Sequence, residues 1–168
     1  MLLLVIRHAI AEDPDVFARS HRPDSERPLT DEGRKRMRQG ARGLREIVPV
    51  IDVLAASPLV RAQQTAAIVS EAYDGIPVVT APALGPDRPP SEVAAWLSTR
   101  REKGTVAVVG HDPMLSVMTG WFMTGDARAV LELKKGAACL VEFAGAPGPA
   151  TGVLRWALAP AHLRALGD

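Results

Sequence analysis

Apolar residues fall along this chain in short unbroken runs, separated by longer stretches where they recur every third or fourth position. Leu2 to Ile6, Val53 to Ala56, Val78 to Val79 and Thr105 to Val109 lack the polar alternation of a half-exposed strand. They read as strands covered on both faces, as in a parallel sheet. Met37, Ala41, Leu44 and Val48 form one small or apolar stripe through Asp31 to Val48, which predicts a helix capped by Thr30, with a strongly basic opposite face. A second helix is expected to begin at Ser57-Pro58, with serine as cap and proline in the first turn, and to run to about Ala72. A third is expected after Ser91, and a fourth from Asp112-Pro113 to near Gly125. Two late runs, Ala137 to Phe143 and Gly152 to Leu158, flank a Gly/Pro loop and read as a hairpin or adjacent edge strands.

Strands alternating with helices predict an α/β fold: one three-layer domain over residues 1–168, with a mostly parallel open sheet and helices on both faces. The segment Ala11 to Pro28 is polar and proline-punctuated, so it is expected to be a long surface loop, of a length that often serves function. Met1 to Ile6 has no basic leader and stops at Arg7, which favours a strand over a signal peptide.

In an open parallel sheet, ligands bind beyond the carboxyl ends of the strands, because the strand-to-helix turns emerge there. Those turns carry Arg7 and His8 after the first strand, Arg61 in the first turn of the helix after the second, and His111 after the fourth. Two arginines converging on one point imply an oxyanion, since the guanidinium fork matches phosphate oxygens bidentately. Imidazoles beside such cations are held neutral, and a neutral imidazole can attack phosphorus. His8 is therefore the expected nucleophile, with Arg7, Arg61 and His111 neutralising charge on the equatorial oxygens without a metal.

Composition narrows the alternatives. The chain has 168 residues, 47% of them apolar, and a formal net charge of +1. That charge gives no long-range pull toward nucleic acid or anionic lipid, so neither is an expected partner. No stretch approaches a membrane span. Cys139, the only cysteine, sits in an apolar run; a buried strand residue in a reducing, cytoplasmic setting is expected. His21 and His162 have no metal-ligand spacing and read as surface residues, and no cofactor or metal is expected. The Gly145 to Gly152 loop lacks a Gly-Lys-Ser/Thr ending and reads as a turn. Arginines crowd between Arg19 and Arg45; this is a solvated face or a surface that steers an acidic phosphoprotein.

Arg7-His8-Ala9 is followed by Arg27-Pro28-Leu29-Thr30 with Gly33, then Ser57-Pro58-Leu59-Val60-Arg61-Ala62 with Gln64-Thr65-Ala66, then Gly110-His111-Asp112-Pro113. In these blocks and their order, spanning about Leu2 to Pro160, the chain resembles the histidine phosphatase superfamily, the phosphoglycerate mutase-like proteins. It looks most like their short SixA branch of phosphohistidine phosphatases. The resemblance implies that His8 accepts the phosphoryl group, that Arg7 and Arg61 hold its oxygens, and that His111 donates to them. Arg27 is a further candidate for phosphate binding. Larger members of the family place an acidic proton donor after the third strand, where this chain reads Ala81-Pro82-Ala83-Leu84-Gly85-Pro86-Asp87. Asp87 or Glu92 can substitute only if that loop folds inward.

An alkoxide leaving group needs protonation, whereas an imidazole leaves with little help. The expected activity is therefore hydrolysis of phosphohistidine on a phosphorelay or phosphocarrier protein, by a monomer. The alternatives are a small-metabolite phosphomonoesterase, with mutase activity disfavoured by the short chain, and a non-catalytic phosphoprotein-binding module.

Overall fold

The computed structural model describes residues 1–100 and 104–167. The elements in chain order are β1 (Leu2–Arg7), α1 (Pro14–Ala18), α2 (Asp31–Ile47), β2 (Val53–Ala56), α3 (Val60–Ala72), β3 (Val78–Thr80), α4 (Pro90–Ser98), β4 (Thr105–Gly110), α5 (Met114–Thr124), β5 (Ala138–Phe143), β6 (Gly152–Leu158) and α6 (Pro160–Leu166). Their six strands form one sheet in the order β3-β2-β4-β1-β5-β6. The pairs β2·β3, β2·β4 and β1·β4 are parallel, while β5 and β6 extend the sheet antiparallel beyond β1.

The unbroken apolar runs are explained by burial on two faces. Leu4, Ile6, Leu54, Ala56, Ala107 and Val109 pack on one side against Met37, Ala41 and Leu44 of α2, Ala66 and Val69 of α3, and Leu163 of α6. Their alternate neighbours Leu3, Val5, Ala55, Val106 and Val108 pack on the other against Val93 and Leu97 of α4 and Leu115, Met118 and Phe122 of α5. Alternating side chains thus fill opposite layers, and each large side chain fully removed from water contributes about 1.5–3 kcal/mol. Cys139 lies in the second layer as expected, fully buried, and burial pushes its thiol up to about 12.

Several boundaries differ from the sequence-based expectations. Residues Ala11 to Pro28 are not plain loop: Asp13 accepts hydrogen bonds from the amides of Asp15 and Val16 to cap α1, Asp24–Glu26 form a 3-10 turn, and Ala11 bridges Leu29. Helix α3 starts at Val60 with Leu59 as N-cap, beyond Ser57, whose hydroxyl lies against His111. Helix α5 starts at Met114 and ends on Gly125, whose φ of 84° suits a residue without a side chain. Helix α6, absent from the expectations, packs on α2 so closely that a Cβ on Gly43 would lie 1.8 Å from the Leu163 carbonyl oxygen. Among the described residues, no helix is long and apolar enough to cross a membrane.

Candidate active site

The register of the central strands decides which residues meet. Arg7 lies opposite Gly110 across β1 and β4, so His8 and His111 leave adjacent strand ends together. The His8 amide donates to the Gly110 carbonyl at 3.0 Å, and the Ser57 amide donates to the Val109 carbonyl at 2.9 Å. The ring centroids of His8 and His111 are 5.2 Å apart. His8, Arg27, Arg61 and His111 are all buried, an unusual density of polar groups for so small a volume.

The turn around His8 is clamped by residues from the second and third sequence blocks. The Ala9 amide donates to Thr65 Oγ1 at 3.0 Å, and that hydroxyl donates to the Arg61 carbonyl at 2.7 Å. Gln64 Oε1 accepts from the Leu29 amide at 2.8 Å. Thr30 caps α2 as expected by accepting from the Gly33 amide, and its own amide donates to the Ile10 carbonyl. A Cβ on Gly33 would stand 2.0 Å from that carbonyl oxygen, so glycine is what lets α2 abut the His8 turn. From the other side, the Gly136 amide donates to the carbonyls of Arg7 and His8, and Arg7 Nη1 donates to the Leu133 carbonyl.

Both imidazoles are held neutral. Burial, reinforced by Arg61, Arg7 and Lys135, lowers His8 to about 4 despite the opposing bond to Ala9. Burial, then the neighbouring His8 and Arg61, lowers His111 to about 3. His8 Nδ1 lies 2.7 Å from the Ala9 carbonyl oxygen. A carbonyl only accepts, so Nδ1 bears the proton and Nε2 keeps its lone pair.

Asp24 is the residue that sequence reasoning missed. Its Oδ1 accepts from Arg27 Nε at 2.7 Å, its Oδ2 lies 3.1 Å from Arg61 Nη2, and its carbonyl accepts from Arg61 Nη1 at 2.9 Å. The Arg27 hydrogen bond, together with the charge of Arg61, holds the Asp24 carboxyl below its usual range. Arg27 also donates to the Glu12 carbonyl at 2.8 Å. The one available signal was the spacing of Asp24 and Arg27, three residues apart across a turn.

Among the described residues, three buried nitrogens of this cluster have no partner inside the protein: Arg7 Nε and Arg61 Nε, which are donors, and His111 Nδ1, whose role depends on the tautomer. A buried, unsatisfied N–H costs about 1–3 kcal/mol, so the two arginine N–H groups are suited to an incoming anion. Asp87 and Glu92 are not part of this cluster. Asp87 is exposed on a cleft with Pro58, Pro82 and Pro89, and Glu92 pairs with Arg88 at 3.5 Å. A second cleft beside the His8 turn is lined by Ile10, Met37, Lys135, Pro160 and Arg164, with Arg36 at its edge.

Residues 3–85 match the family model of the histidine phosphatase superfamily, branch 1. An uncharacterised protein of Picosynechococcus sp. strain PCC 7002 is 31% identical over 137 residues, covering 80% of this chain and 81% of its own length. Among solved structures, the protein histidine phosphatase SixA complexed with tungstate superposes with a TM-score of 0.82 at 24% identity, over 97% of this chain and 99% of that one. The α-ribazole phosphatase of Shigella flexneri superposes with 0.73 at 19% identity, over 95% and 97%. A phosphoserine phosphatase variant of Entamoeba histolytica does so with 0.70 at 13% identity, over 96% and 98%.

Proposed function

The chain belongs to the histidine phosphatase superfamily, branch 1, and on that footing we propose that it is a phosphohistidine phosphatase of the SixA type acting on a phosphoprotein. The observation that carries this reading is a set of buried, partnerless nitrogens on Arg7, Arg61 and His111 in the cluster that also holds His8, whose Nε2 keeps its lone pair. Such groups suit the equatorial oxygens of a phosphoryl group in flight. The Nε2 of His8 attacks phosphorus as the P–N bond to the substrate imidazole breaks; the electron pair of that bond stays on the departing ring, which already carries a proton on its other nitrogen and so leaves as neutral imidazole. Water then attacks the phosphorus on His8, releasing inorganic phosphate and restoring Nε2. Arg7 and Arg61 supply the positive charge, so the scheme needs no metal.

The carboxylates explain the choice of substrate. Asp24 reaches the cluster, but Arg27 and Arg61 keep it ionised, so it has no proton to give an alkoxide. Asp87 is exposed, and Glu92 pairs with Arg88. A site with weak general acid favours an imidazole leaving group over an alcohol. The basic face of α2 and the cationic cleft beside His8 suit an acidic phosphorelay or phosphocarrier protein. The buried, unpaired Cys139 is in keeping with the cytoplasm as the place of action.

The test is a chase of a phosphohistidine-bearing protein with wild type and His8→Ala, with alkyl phosphates in parallel. Loss of the phosphoryl group through an acid-labile phosphoenzyme is expected from wild type only. Equal turnover of alkyl phosphates would move the assignment to a metabolite phosphomonoesterase. Tight binding without turnover would mark a phosphoprotein-binding module, and full activity of His8→Ala would rule out the covalent mechanism.

A further inference from the structure

Ser57 stands where the sequence expects a helix cap, yet its side chain faces the cluster. It is fully buried, and its Oγ lies 2.8 Å from Nε2 of His111, itself 3% exposed. Its peptide is pinned at both ends: the amide donates to the Val109 carbonyl at 2.9 Å, and the carbonyl accepts from Gln63 Nε2 at 2.7 Å. The hydroxyl therefore has a fixed place relative to the ring.

A neutral imidazole has one N–H and one bare nitrogen. With the proton on Nε2, His111 would donate to Ser57 and turn the lone pair of Nδ1 toward the cluster, where it opposes any phosphoryl oxygen. With the proton on Nδ1, the cluster gains a donor, and Nε2 must then accept a hydrogen bond. The Ser57 hydroxyl can supply it, because its oxygen already accepts from the Leu59 amide at 3.4 Å while its hydrogen is free to point at the ring.

We propose that Ser57 is a positioning residue that donates to His111 Nε2 and thereby holds His111 as the Nδ1–H tautomer, a ready donor to a phosphoryl oxygen. This rests on the reading that the cluster binds a phosphoryl group. The two rings are then set in opposite senses by their neighbours. The Ala9 carbonyl takes the Nδ1 proton of His8 and bares its Nε2, whereas the Ser57 hydroxyl fills Nε2 of His111 and leaves Nδ1–H facing the substrate. One residue type becomes nucleophile and donor within a single pair.

Nitrogen-15 labelling of the imidazoles tests this directly, since two-bond proton–nitrogen correlations distinguish the tautomers, and His111→Gln identifies the signals. In the free wild-type protein at neutral pH, His111 is expected as Nδ1–H. Ser57→Ala should shift the proton toward Nε2, lower kcat on a small phosphoramidate about 10-fold and weaken inorganic phosphate binding. The loss stays below the ~10²–10³ of deleting a donor outright because the productive tautomer remains accessible. Ser57→Thr, which keeps the hydroxyl, should restore both. A wild-type His111 protonated on Nε2 overturns the proposal, as does a Ser57→Ala that keeps the Nδ1–H tautomer and full rate. The wild-type spectrum decides the matter even if Ser57→Ala fails to fold. Because it needs no substrate, wild-type Nδ1–H without phosphohistidine turnover would retire the substrate reading alone.

Discussion

Acidification from pH 7 to pH 5 should destabilise this fold through two residues. His8 falls from 6.5 to about 4 on folding, and His111 from 6.5 to about 3. Between those values and 6.5 the unfolded chain binds protons that the folded chain refuses. The stabilisation is thus complete above about pH 6.5 and is lost as pH falls toward the folded values. At pH 5 each ring lies ~1.5 units below its unfolded value, and at 1.36 kcal/mol per unit the cost is about 2 kcal/mol per ring, about 4 kcal/mol for the pair. That is a large fraction of the ~5–15 kcal/mol that holds a domain together. Carboxylates add little in this window, because the reference values of Asp24, Glu32 and Asp74 lie between 3.8 and 4.5. Urea unfolding at pH 7 and pH 5 without phosphate measures the effect, and His8→Asn should remove about half of it. A midpoint unchanged between the two pH values, or a His8→Asn variant as acid-sensitive as wild type, would refute the claim that burial keeps these rings neutral.

Other perturbations act on single contacts. Arg61→Lys keeps the charge but loses the fork and should lower kcat/KM by about 10²–10³, read as phosphate release from a phosphoramidate. Asp24→Ala frees Arg61 and Arg27 from their shared anchor and should lower kcat/KM about 10-fold, with Asp24→Asn nearer to wild type. Because Asp24 is 57% exposed, its removal should cost only about 1 kcal/mol in a thermal melt. Raising ionic strength about tenfold, from ~0.05 to ~0.5 M, should lower kcat/KM for a phosphoprotein while leaving a small phosphoramidate unchanged.

The sheet and the site corners were legible because each follows from local sequence. Runs such as Leu2 to Ile6 mark doubly covered strands, and the parallel order carries Arg7, His8, Arg61 and His111 to one edge whatever the loops do. Asp24 was hidden because its function depends on a tertiary fold-back: a polar residue among polar residues shows no periodicity. Ser57 was misread for a related reason. Serine before proline is a strong local cap signal, but the helix starts later, at Val60, and only the tertiary fold brings a buried imidazole against the Ser57 hydroxyl. Helix α6 escaped notice because it is short and buries a single residue, Leu163, too few to show a helical period, and its close fit on Gly43 of α2 is a tertiary contact.

The strand that ends in Arg7 and His8 is bracketed by β4 and β5, both from the second half of the chain, and the Gly136 and Ala137 backbone closes on that strand end. A ribosome therefore extrudes His8 early and the strands that house it late. A nascent or truncated chain ending near residue 85 would display the family's most recognisable residues while lacking His111 and the strands that shape the pocket. The pocket, unlike the signature, can close only when about four-fifths of the polypeptide has emerged.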